Sequence, residues 1–515
     1  MDRRAFMWLS VGSLALAAAG CTRQPFTDPE NTLTVGWWTG ESMVSLFTDQ
    51  SSMFLVFLPL VARNADGELE GRLAERWEHS PDYLTWTVHL RQGVRWHDGV
   101  PVTAHDVKFT LDLLSDPDVL YAQPGGYTVT VLDDTAYTIE YHDLLADEVG
   151  KGSPLDDYTV IYPKHLLEQL DPVDFGSWEF WSRPVGNGPY RYGRQLSQIM
   201  MEFEANPDYY RGKPSIERVV LKFVAFYVTE LLSGYVDALY FVGREELQAL
   251  RGDDRFQAYH SSNHRGNRVV VWNLRNVLFR DASVRRALTL AIDRVELRQV
   301  LHMPAGLPIF DVPLSGGLYR RGEVPEPLPY DPKRAKQLLH EAGWRDGDGD
   351  GIRERDGRPF RFTLLTPASY PMRGGEAVYI QSQLRQVGIG VEIQTMEWRP
   401  VLERMTTGQF EAALFGQGAS LDSPMGILPF FGEESFIGYS NRDVIALLNE
   451  LTSTIDPDEI DRIHRQLIPF FEADLPVTYL YPNVVTSMAT QRVGGLSSPY
   501  RIDPVRYMDE LWLEY

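Results

Sequence analysis

The chain's only cysteine, Cys21, stands directly behind an apolar run from Met7 to Ala19, and that placement removes more folds and chemistries than any other feature. One thiol in 515 residues leaves no disulfide scaffold and no cysteine-built metal centre. Arg3 and Arg4 precede the apolar run, which falls short of the roughly 20 residues that span a bilayer. Residues 1–20 therefore read as an export signal rather than a membrane helix.

Leu16-Ala17-Ala18-Ala19-Gly20-Cys21 resembles a bacterial lipobox, in which the cysteine thiol receives a diacylglycerol and becomes the mature N-terminus. Buried acyl chains contribute about 0.8 kcal/mol per CH₂, so two or more hold a globular domain at a membrane surface. The expectation is a lipid anchor at Cys21, a polar tether over residues 21–30 with Pro25 and Pro29, and a body facing the periplasm or cell exterior. Arg3-Arg4 also resembles a twin-arginine export signal, although Asp2 stands where Ser or Thr is usual.

Asp plus Glu is 71 against 49 Lys plus Arg, a net charge of −22, which argues against nucleic acid as a partner. Thr32 to Trp37 alternates like a first strand, and Tyr83 to Leu90 alternates again before a turn at Arg91-Gln92-Gly93. Val107, Phe109, Leu111 and Leu114 are spaced like a helix with Asp106 near its start. Residues 130–142 read as a second strand pair, and Pro184 to Tyr192 as a rigid turn. Ser283 to Val300 and Asp331 to Ala342 predict amphipathic helices. Phe360 to Thr366, Val391 to Met396 and Ala412 to Phe415 predict buried strands separated by helices, an α/β pattern.

The search for catalytic motifs is mostly negative. The sequence has no G-x-S-x-G elbow, no phosphate-binding loop of the GxxxxGK[ST] type and no H-E-x-x-H. His97 and His105 are separated by a turn-forming stretch and read as local hydrogen-bonding groups rather than zinc ligands. Asp346, Asp348 and Asp350 open like a calcium loop with Gly351 at the turn, but the twelfth position is Gly357 where a bidentate Glu belongs. The favoured reading there is an acidic hairpin, with no cofactor assigned and calcium as the alternative. A secreted hydrolase with an unrecognised carboxylate pair stays open as a rival class.

Several stretches together resemble one family, the peptide/nickel-type extracytoplasmic solute-binding proteins of ABC importers. They are Leu73-Ala74-Glu75-Arg76-Trp77, Trp86 through Gly99 continuing to Val107, Pro184-Val185-Gly186-Asn187-Gly188-Pro189-Tyr190, and Asn206-Pro207-Asp208-Tyr209-Tyr210. Phe279 to Arg294, Tyr330 to Trp344, Gly438-Tyr439-Ser440-Asn441 and Leu475 to Tyr481 follow in order. The resemblance implies a two-lobed α/β fold that closes like a hinge, with an extra subdomain inserted in the first lobe. By analogy lobe I takes residues 31–58, 186–267 and 482–515, the insertion 59–185, and lobe II 268–481.

The resemblance also implies a monomer that binds a small solute, a peptide or an oligosaccharide-like molecule, and hands it to ABC permease subunits. It places Trp37, Trp38 and Thr39 near the cleft, with Trp398 supplying an aromatic wall. Phe415, Gln417, Ser420 and Asp422 fall in the segment where peptide-binding members carry a Trp and then an Asp that pairs with the ligand's α-ammonium. Here Gln417 stands at the Trp position and Ser420 at the Asp position, with Asp422 two residues on. A buried ammonium lacking a carboxylate is costly. The expectation is a solute not recognised through a free peptide N-terminus.

Overall fold

The computed structural model describes residues 31–37, 50–64, 69–82, 84–117, 119, 126–142, 159–196, 200–223, 227–240, 242, 247, 249–250, 252–301, 303, 308–313, 322–368, 372–417, 424–454, 456–496 and 504–514. Two large hydrophobic cores organise them. One draws on residues between Leu33 and Tyr240 and again from Ala489 to Leu513; the other lies wholly between Val269 and Tyr481. The chain is two-lobed α/β.

A single ten-stranded sheet runs through both halves. In the first half, Thr32–Trp37 pairs parallel with Arg218–Phe223, Met200–Ala205 and Tyr190–Leu196 extend the sheet antiparallel, and Ala238–Leu239 flanks the other side. In the second half, Arg361–Pro367 lies parallel to both Gly390–Met396 and Ala412–Gln417. Helices Met372–Gln386 and Trp398–Thr406 make the connections, as a parallel strand pair requires. Two of the three strands expected to be buried are so, with Phe362, Leu364, Leu365 and Ala412 to Leu414 all buried; the third, Gly390–Met396, is the sheet's edge strand and none of its residues is fully buried, because only one side of it is paired.

Two long strands, Phe256–Trp272 and Val477–Thr490, pair antiparallel and carry the sheet from one core to the other. Their pairing is continuous to Ser262↔Val484 and resumes at Asn267↔Pro482, so four residues on one strand face a single residue on the other, and it shifts once more between Arg268↔Tyr481 and Val269↔Tyr479. Such a bulge bends and twists a strand pair locally.

A separate four-stranded antiparallel sheet, in the order Ala74–His79, Thr85–Leu90, Ala136–Tyr141, Tyr127–Asp133, shares the first core. Helix Ala104–Ser115 packs beside it. The Asp106 carboxylate accepts the backbone N–H of Thr103, closing a capping box at the first turn. Arg72 ties this sheet to the C-terminal segment through Asp509 at 3.0 Å and Glu510 at 2.8 Å.

A second sequence expectation needs correction. Ser283 to Val300 is not one helix but two, Ala282–Leu290 and Arg294–Val300. Asp293 ends the continuity: its side chain accepts from the Glu296 backbone N–H at 2.8 Å and starts the second helix as an N-cap. The apolar spacing persists through Ala291 and Ile292, both buried, which is why periodicity alone reads a single helix. Asp331 caps Pro332–Glu341 in the same way.

Candidate functional site

Strand direction locates the site. In the second half, the carboxyl end of Ala412–Gln417 reaches Asn267, the residue at which the two long strands resume pairing. In the first half, Thr32–Trp37 runs parallel to Ala238–Leu239, which pairs with Ala489 and Met488 so that its carboxyl end also points toward the break near Val484. The carboxyl ends of parallel strands from both cores thus converge on one place, where open α/β sheets bind ligands.

Two of the aromatic residues singled out from the sequence meet. Trp398, the first residue of its helix, stacks on Phe415 with ring centroids 5.2 Å apart and planes 20° from parallel. Phe415 in turn meets Phe430 at 6.0 Å, and Phe430 meets Phe436 at 4.6 Å. Such pairs hold an apolar surface in one orientation. Gln417 ends its strand opposite Asn267. Trp37 ends the first strand opposite Phe223, while Trp38, Thr39, Ser420, Asp422 and Cys21 lie outside the described residues.

Two groups at the break were missed from the sequence. Asn267 is fully buried, and Arg268, one residue on, has its Nε 3.5 Å from the buried carboxylate of Glu376 on helix Met372–Gln386. The Tyr481 hydroxyl donates to the same carboxylate. Burial and the Glu376 charge raise the Tyr481 phenol well above its ordinary range, so it stays neutral and acts as donor. The available signal was the pair of polar residues directly ahead of Val269-Val270-Val271-Trp272.

Two motifs singled out separately meet elsewhere. The His97 ring accepts the Gly186 N–H at Nδ1, 3.2 Å away, and donates from Nε2 to the Gly188 carbonyl at 3.1 Å. A Cβ on Gly186 would stand 1.8 Å from the Val56 carbonyl oxygen, so only glycine fits that turn. His97 is therefore a neutral clasp between loops, and His105 instead faces Asp134 at 3.8 Å.

The acidic loop gathers Asp346, Asp348, Asp350 and, in place of the vacant twelfth position, Glu354, with one oxygen of each within 4.8 Å of the others. Each carboxylate already accepts a backbone N–H of the loop: Asp346 from Gly349 and Gly351, Asp348 from Asp350, Asp350 from Ile352, and Glu354 from Gly347. Arg361 adds an ion pair to Asp350 at 3.1 Å.

Comparison with known proteins accords with this geometry. The family model described as "Bacterial extracellular solute-binding proteins, family 5 Middle" matches residues 68–438. The chain belongs to that family. It is 30% identical over 496 residues to the oligopeptide-binding protein AppA of Bacillus subtilis, covering 90% of this chain and 87% of that protein. It is 26% identical over 471 residues to heme-binding protein A of Haemophilus influenzae, covering 85% of this chain and 83% of that one. In structure it resembles B. subtilis AppA in complex with a nonapeptide, with a TM-score of 0.69 and 24% identity over 95% of this chain and 100% of that one. The crystal structure of "a putative peptide binding protein AppA from Clostridium difficile" gives a TM-score of 0.79 at 20% identity, covering 94% of this chain and 100% of that one. This family member is an extracytoplasmic solute-binding protein of the ABC-importer type, in a family of binders rather than enzymes. No helix among the described residues is long and apolar enough to cross a membrane.

Proposed function

We propose that this protein captures peptides between its two lobes and delivers them unaltered to ABC permease subunits, while a lipid on Cys21 holds it at the membrane. The observation that carries the peptide reading is the near full-length likeness to an oligopeptide-binding protein on both chains. The geometry supports it: convergent strand ends and an aromatic wall beside a break in the sheet suit an extended chain whose backbone must exchange water for protein partners. We place the hinge at the register break, with lobe II taking residues 268–481, lobe I residues 31–58, 186–267 and 482–515, and the insertion 59–185.

Recognition in this reading does not depend on a free peptide N-terminus, because Ser420 stands where the ammonium-pairing Asp is expected. The test is calorimetry on the mature chain with peptides identified by mass spectrometry from the purified protein. N-acetylation is expected to change Kd by less than about threefold, roughly 0.7 kcal/mol. A loss of a hundredfold or more refutes ammonium-independent recognition, and cleaved peptides after incubation refute a pure binder.

A further inference from the structure

We infer that Asn267 is a solute-binding residue whose carboxamide takes one peptide unit of an extended ligand, its oxygen accepting an N–H and its nitrogen donating to a C=O. The inference rests on the reading of the solute as a peptide. Both amide atoms of Asn267 are buried, and neither has a hydrogen-bond partner among the described residues. A buried amide with neither protein partner is a standing penalty on the folded chain, and groups left this way are rare in protein interiors.

Along the strand the neighbours are apolar: it continues into Val269, Val270, Val271 and Trp272, all buried. What distinguishes position 267 is its place. It pairs across the sheet with Gln417, at the carboxyl end of the strand that carries Phe415, and with Pro482, where the long strands resume pairing.

Side-chain direction ties it to the aromatic wall. Val269 pairs with Phe415, so the two project on one face, and Asn267, two residues from Val269, projects on that face as well. Arg268 projects on the opposite face, where it meets Glu376. The Trp398–Phe415 stack and the Asn267 amide therefore offer, side by side, an apolar platform and a matched donor and acceptor. This is the combination an extended peptide presents: side chains to one surface, N–H and C=O to another. The amide is covered in this arrangement, so the ligand reaches it when the lobes part at the break. Reclosure over a peptide unit then supplies the two partners that reclosure without one leaves missing.

The experiment compares the mature wild-type chain with Asn267→Leu, which keeps the branched shape and removes the polar atoms. Nonapeptides retained by the wild type from a randomised synthetic library are identified by mass spectrometry, and their Kd is measured on both proteins by calorimetry. The expected result is a Kd weakened tenfold or more in the variant, with the urea midpoint of the ligand-free variant no lower than that of the wild type. If the bulkier Leu prevents folding, Asn267→Ala reads the same contrast in Kd. A variant that binds the same nonapeptides within twofold of the wild type overturns this inference and leaves the peptide reading intact. A wild type that retains no nonapeptide overturns both.

Discussion

At the scale of single residues, His97 shows how a side chain that the sequence reads as a local hydrogen-bonding group becomes a clasp between distant turns. Burial lowers its imidazole from 6.5 to about 4, against the opposing pull of the Gly188 carbonyl. The folded state thus holds the ring neutral while the unfolded chain protonates it from about pH 6.5 downward. Because the folded pKa is the lower one, the contribution is complete above pH 6.5 and drains away as pH falls toward 4. We expect the wild type to lose about 2 to 3 kcal/mol from this group between pH 7 and 4. Denaturant unfolding of His97→Gln over the same range should show a correspondingly shallower pH slope; parallel profiles would contradict the assignment. The sequence disclosed that His97 sits in a turn, but the second turn it clasps is 89 residues away in the chain. That pairing exists only in three dimensions. Asn267 escaped notice for a related reason: an Asn at the start of an apolar run looks like an ordinary strand boundary until its amide is found buried and without a partner among the described residues.

At the scale of elements, legibility followed the strength of local period. The strands at Thr85–Leu90 and Arg361–Pro367 announced themselves through residue types that alternate or stay apolar, and both are buried on the expected positions. Helix termini were less visible. Asp331 and Asp293 perform the same capping act, yet only the first stands after a turn; the second interrupts an apolar spacing that continues on either side. The cap makes a specific claim on stability. Replacing Asp293 with Ala leaves the Glu296 N–H without its acceptor and should lower the unfolding free energy by about 1 kcal/mol. Thermal melts of Asp293→Ala and Asp293→Asn separate the cap from the charge, since Asn caps comparably. Equal losses in both would assign the effect to charge instead.

At the scale of the whole molecule, the decisive elements are the two strands that no periodicity disclosed. His260 to Arg268 is a polar run without apolar alternation, since no single core lies along its length to impose one. The backbone nevertheless pairs on both sides of the interruption at Ser262 and Asn267. Residue resemblance suggested lobe boundaries, whereas local pattern could not, since the information lies in how distant segments share a core. The architecture has a thermodynamic consequence. Two cores joined through two strands with a break in register make few contacts that both must lose together, so each should unfold as its own cooperative unit. A ligand seated between them binds only when both are intact. At a hundred times Kd it adds about 2.7 kcal/mol to that doubly folded state alone. Calorimetric melting of the ligand-free chain should therefore resolve two overlapping transitions, with a van't Hoff enthalpy below the calorimetric one. Saturating peptide should merge them into one at higher temperature, because opening either lobe then releases the ligand and removes the support of the other. A single two-state transition without ligand would mean that the long strands couple the cores rigidly, and the hinge at the register break would have to be abandoned.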